Sequence, residues 1–125
     1  MKILDSNIWI AFFNEKDSQH DKAQKIIREV KSPVAVTEYV VIETCNILLA
    51  KARKEDADFF INFTLDNEDV VLLLSNGNLF FETVSSFQKI TKRSLSFVDI
   101  SLLCLSRNYE IVTFDKKLSN ELKRK

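Results

Sequence analysis

The sequence predicts an α/β fold: a three-layer α/β/α sandwich around a central parallel sheet of about four strands. Three observations predict it. Short runs at residues 2–5, 34–36, 70–74 and 111–114 are rich in Val, Ile and Leu, as expected of strands buried on both faces. Every gap between these runs contains stretches with apolar residues at helical spacing, and strands separated by helices imply parallel pairing with helices on both faces. A chain of 125 residues, 46% of them hydrophobic, is the size of a single domain over residues 1–125 with one core.

The elements follow in order. Residues 2–5 form a short buried strand. Ser6 or Asn7 caps a helix to about residue 13. Asp17 or Ser18 starts a second helix, in which Ala23, Ile26, Ile27 and Val30 recur at helical spacing. Pro33 ends that region, and residues 34–36 are the second strand. Thr37 caps a helix to about residue 52, apolar on nearly every side and so expected to be deeply packed. Another helix spans 55–66. Residues 70–74 are the clearest strand, and Ser75-Asn76-Gly77-Asn78 is a turn into a helix reaching about residue 92. Ser96 caps a helix to about 107, residues 111–114 are the fourth strand, and 116–123 a terminal helix.

Composition narrows the chemistry. The chain has one His, His20, and one Gly, Gly77. A zinc site or His-dependent triad has almost nothing to build on, and a glycine-rich phosphate loop is excluded. Cys45 and Cys104 lie in apolar helical runs and read as core residues, not a disulfide. Net charge is zero, so general affinity for polyanions should be weak. Basic residues cluster locally at Lys51, Arg53 and Lys54; at Lys89, Lys92 and Arg93; and at Lys116, Lys117, Lys123, Arg124 and Lys125. Such clusters are usually solvated helix faces; a minority mark a phosphate-binding rim. No signal peptide or membrane-spanning run is visible, and a cytoplasmic location away from membranes is expected. Phe12-Phe13, Phe59-Phe60 and Phe80-Phe81 are adjacent pairs among ten Phe. Neighbours on a helix point about 100° apart, so some rings should be left for self-association or a small partner.

Four acids stand where acids are costly. Asp5 closes the first strand, Glu43 interrupts an apolar helix, Asp99 lies in the apolar run 95–105, and Asp115 follows the fourth strand. A buried carboxylate without a partner is expensive. No Lys or Arg lies in these runs apart from Lys2 at the edge of the first, so the acids are expected to satisfy one another through a shared divalent cation. Asp5 and Asp115 fall at the carboxyl ends of strands, where ligands bind in open parallel sheets. Glu43 and Asp99 fall in early helical turns that can face the same edge. Taken alone, Asp5, Asp99 and Asp115 fit helix caps as well as ligands; Ser96 to Asp99 has capping-box spacing. Glu43 lies too deep in its helix to cap it, and the joint pattern favours a site. Two other magnesium-dependent phosphotransfer classes fit less well. A haloacid-dehalogenase-like phosphatase wants an Asp where Asn7 stands, and a phospho-receiver domain wants further acids and a late Lys.

Leu4-Asp5-Ser6-Asn7, Glu43, Leu95-Ser96-Phe97-Val98-Asp99 and Val112-Thr113-Phe114-Asp115, in this order and over essentially the whole chain, resemble the PIN domain. The branch they resemble is the VapC-type toxin ribonucleases of bacterial toxin–antitoxin pairs. The resemblance implies a Mg2+- or Mn2+-dependent endoribonuclease with Asp5, Glu43, Asp99 and Asp115 as catalytic, metal-binding acids. It implies supporting polar roles for Asn7, Ser96 and Thr113. RNA would be the substrate, a small antitoxin the partner, and a homodimer the assembly. Family alternatives are a nuclease of RNA processing and an inactive interaction module. One departure stands out. The family usually adds a fifth, edge strand after the fourth acid, and here that strand is expected to be missing.

Overall fold

The computed structural model describes residues 1–31, 33–91 and 94–124. Lys92, Arg93 and Lys125 of the basic clusters, and the expected end of the fifth helix at 92, fall outside them. Four strands form the sheet: β1 (Lys2–Leu4), β2 (Val34–Thr37), β3 (Val70–Leu73) and β4 (Glu110–Val112). Seven helices surround it: α1 (Ser6–Phe13), α2 (His20–Glu29), α3 (Glu38–Lys51), α4 (Lys54–Asp66), α5 (Gly77–Lys89), α6 (Phe97–Leu105) and α7 (Lys116–Lys123). All pairings are parallel, and the strand order is β3-β2-β1-β4. The expected three-layer α/β/α architecture is therefore observed. No fifth strand follows β4 among the described residues; α7 does.

The order of the strands sets the place of the site. The chain builds outward from β1 through β2 to β3, then returns to the other side of β1 to lay down β4. The point of reversal is the gap between β1 and β4, and a crevice opens there at the strands' carboxyl ends. Leu4 stands opposite Val112 in the register, so Asp5 and Thr113, one step further, emerge side by side. The Asp5 amide completes the pairing by donating to Val112 O at 2.9 Å.

Ile3, Leu4, Val36, Leu48 and Leu102 fill the core, with Trp9 and Phe60 as its largest fully buried side chains. Trp9 packs on Phe60 and Phe63 at centroid distances of 5.7 and 6.0 Å. Cys104 is buried, Cys45 is half-buried, and both are free thiols. His20 packs with Nδ1 2.7 Å from Ala11 O. No helix of the described residues is long and apolar enough to cross a membrane.

Three expectations need correction. α2 starts at His20, not at Asp17 or Ser18. Asp17 does cap, but it caps a turn: its Oδ1 accepts from Gln19 N at 2.8 Å before the helix begins. α3 is not buried on every side, because Ile42 and Leu49 are 54% and 51% exposed. The cap of α1 is Asp5, whose side chain accepts from Ser6 N; it is neither Ser6 nor Asn7.

Candidate active site

Asp5, Glu43, Asp99 and Asp115 line one cavity of about 390 Å³, together with Ser6, Asn7, Ser96 and, along its length, Ile47 and Lys51. The fold brings all four acids together, and local structure accounts for each. Asp5 ends β1 and caps α1, with Oδ1 2.7 Å from Ser6 N. Asp115 follows β4 and caps α7, with Oδ1 2.8 Å from Lys117 N. Ser96 and Asp99 form the reciprocal capping box of α6: Asp99 N donates to Ser96 Oγ at 3.1 Å, and Ser96 N donates to Asp99 Oδ2 at 2.9 Å. Glu43 is carried on α3, whose start is fixed by Thr37 accepting from Val40 N at 3.1 Å. The cap reading and the site reading thus describe the same residues. Capping holds three carboxylates at helix N-termini, and those termini converge on the crevice, where their dipoles favour negative charge.

The supporting residues form a lattice of neutral donors. Thr113 Oγ1 donates to Asp5 Oδ2 at 2.7 Å and accepts from Asn7 Nδ2 and from the Asp115 amide, both at 3.0 Å. Asn7 Oδ1 accepts from Phe114 N at 3.1 Å. Ser6 Oγ donates to Glu43 Oε1. This last contact joins residues far apart in sequence. The signal that could have found it is Glu43 itself, a half-buried acid in need of a donor.

The electrostatics are those of crowded, like charges. Burial pushes the Asp5 carboxyl up to about 6, opposed by the Thr113 and Ser6 hydrogen bonds and reinforced by Asp99 and Glu43. Burial also raises Glu43 against its hydrogen bond from Ser6, and Asp99 adds to the rise. Asp99 is raised by burial, and Asp115 adds repulsion against the Ser96 hydrogen bonds. No Lys or Arg forms an ion pair with any of the four among the described residues. Glu43, Asp99 and Asp115 each give only one oxygen to protein hydrogen bonds among these residues. The three line a cavity whose wall, among the described residues, contains no Cys or His.

This donor chemistry fits a hard divalent cation, which prefers carboxylate oxygens and water. No group of three or more His, Cys, Asp or Glu among the described residues is gathered tightly enough to hold an ion alone.

The chain's likenesses agree with this geometry. No curated protein sequence matches it. The structure is similar to the crystal structure of Mycobacterium tuberculosis VapC20, described as a sarcin–ricin-loop-cleaving toxin. That similarity has a TM-score of 0.89 at 18% sequence identity and covers 97% of this chain and 95% of that one. The sequence matches the PIN domain over residues 2–121. With four acids at the reversal point of a parallel sheet and a family match over nearly its full length, the chain belongs to the PIN domain family.

Proposed function

We propose that the protein is a metal-dependent endoribonuclease that hydrolyses RNA phosphodiester bonds, acting as the toxin of a toxin–antitoxin pair. The observation that carries the nuclease reading is that Asp5, Glu43, Asp99 and Asp115 line one cavity, three of them raised by burial and mutual repulsion, and that none of the four forms an ion pair among the described residues. A bound cation would relieve the repulsion that remains after the neutral hydrogen bonds. Asp5 and Asp99 would be its central ligands, Glu43 a direct or water-mediated one, and Asp115 the ligand of an outer position. Mg2+ or Mn2+, if bound there, would supply an activated water and neutralise charge on the phosphate. The protein's part is to hold the carboxylates in place, and it does so with neutral groups: the Thr113 hydroxyl, the Asn7 amide, and the Ser6 and Ser96 donors. No protein nucleophile is needed, in keeping with a cavity wall that holds no His or Cys among the described residues.

The toxin reading is supported by the likeness to VapC20, a toxin. It brings with it a small antitoxin partner and a homodimer. Exposed Phe59, Phe80, Phe81 and Phe87 give such partners apolar surface to cover. The test is cleavage of single-stranded RNA by the purified protein with Mn2+, with Mg2+ and with EDTA. Cleavage with metal, lost in EDTA and in Asp5→Asn, is expected. No cleavage under any metal condition overturns the nuclease reading.

A further inference from the structure

The acid cavity continues past the acids. It shares Asn14 and Lys51 with a second cavity of about 410 Å³. The two differ in charge. Acids dominate the first, and Lys51 is its only cation among the described residues. The second has Lys16, Lys51 and Arg53 against Glu15 and Asp56. Asp56 is already committed, accepting from Arg53 Nη2 at 3.1 Å and from the Arg53 amide at 3.0 Å. Arg53 is further engaged by Glu55, 3.9 Å from its Nε. Lys16 and Lys51 are exposed and form no ion pair among the described residues.

Helix geometry places Lys51 with respect to the acids. Glu43, Ile47 and Lys51 recur every four residues on α3, and all three line the acid cavity. At 1.5 Å per residue, Lys51 lies about 12 Å along the helix axis from Glu43. A small phosphate ester would fill only the acid end. A polynucleotide strand, with its repeated charge, would meet the acid end through one phosphate and the ammonium groups through another. The geometry points to Lys51 and Lys16 as an anchor for an RNA phosphate next to the one being cut. They are positioning residues: they hold the strand and do not touch the reacting atoms. This assignment rests on the ribonuclease reading above. Lys51 is also the last residue of α3, where a cation suits the helix dipole, so the test must separate anchoring from stability.

The experiment is steady-state cleavage of single-stranded RNA with Mn2+ over a range of NaCl concentrations, with melting temperature measured in parallel. The proteins are wild type, Lys51→Ala, Lys16→Ala, Lys51→Arg and Lys31→Ala. Lys31 lies before the amino end of β2, whereas the acids gather at the carboxyl ends of the strands. Lys51→Ala should raise KM about tenfold, as expected when one charge-assisted hydrogen bond is removed, while kcat and melting temperature stay at the wild-type value. The slope of log(kcat/KM) against log[NaCl] should flatten by about 0.7 for each RNA phosphate left without its ammonium partner. Lys16→Ala should change KM and slope in the same direction, Lys51→Arg should restore both, and Lys31→Ala should match wild type. The anchor is overturned if wild type cleaves RNA but Lys51→Ala and Lys16→Ala keep its KM and salt slope, or shift only the melting temperature. A wild type that cleaves no RNA removes the nuclease reading and the anchor with it.

Discussion

Asp99 closes the capping box of α6 and faces other acids at once, and Asp99→Asn separates the two roles. Asn retains a side-chain oxygen for the Ser96 amide, so the cap survives. The charge does not survive, so repulsion in the metal-free site falls while metal affinity falls with it. The variant should melt at or above the wild-type temperature without metal and should not cleave RNA with Mn2+; wild-type cleavage would reduce Asp99 to a cap. Asp5 gives a pH prediction. Its carboxyl moves from 3.8 to about 6 on folding, so between these values the folded state binds more protons than the unfolded state. The stabilising contribution is therefore full below 3.8 and is lost as pH rises to about 6, an effect of up to about 3 kcal/mol. Asp5→Asn has no such proton to bind, so its melting temperature relative to metal-free wild type should climb across this interval; a constant difference would refute the shift. The four acids were legible in the sequence because each is a charge in an apolar run, which needs a reason. The bond from Ser6 to Glu43 was not: Glu43 shows that a donor is needed, but nothing local says that the donor is Ser6, 37 positions away.

Adjacent rings on α4 show how an element divides its residues. Phe60 is fully buried against Trp9 and Phe13, while Phe59 is 57% exposed. Phe60→Ala should cost about 3–5 kcal/mol in chemical denaturation through transfer and cavity terms. Phe59→Ala should stay within about 0.5 kcal/mol for the isolated chain. Equal costs would mean that the helix is rotated from the face described. That some rings of the Phe pairs would be left outside was readable from helical period alone. Element ends were less so. The fourth strand was expected at 111–114 but runs Glu110–Val112: Glu110 N is drawn into pairing by Met1 O at 3.2 Å, and Phe114 N is taken by the Asn7 side chain. Both partners lie at the other end of the chain, beyond the reach of local pattern. α3 misled for a different reason. Its apolar residues on every side suggested full burial, yet a pattern says which residues avoid water and not whether another element is there to cover Ile42 and Leu49.

At the scale of the whole molecule, the four acids come from the β1–α1 junction, α3, α6 and the β4–α7 junction, so a shared cation would tie together segments from the full length of the chain. A ligand bound only by the folded state stabilises it by mass action, about 2.7 kcal/mol at a hundredfold excess over Kd. Millimolar Mn2+ or Mg2+ should therefore raise the melting temperature, and Asp5→Asn should blunt the rise. An identical melting temperature with Mn2+ and with EDTA would count against a shared site. The parallel sheet was legible because four strand runs alternate with helical stretches. Its order, with β4 beside β1, follows from no local run, although the acids after β1 and β4 were pointing to one edge.

Thr113 has one proton to give and two lone pairs to fill, and all are engaged: the proton by Asp5, the lone pairs by Asn7 and the Asp115 amide. The wiring runs one way, toward Asp5, because the Phe114 amide holds the Asn7 carbonyl and turns its NH2 inward. No apolar isostere can stand at this junction. Thr113→Val matches the shape yet disconnects three groups together, whereas Thr113→Ser keeps the circuit. The first and last strands are thus soldered beside the acids by groups that carry no charge, so the frame of the site keeps its shape while protons, salt and metal come and go.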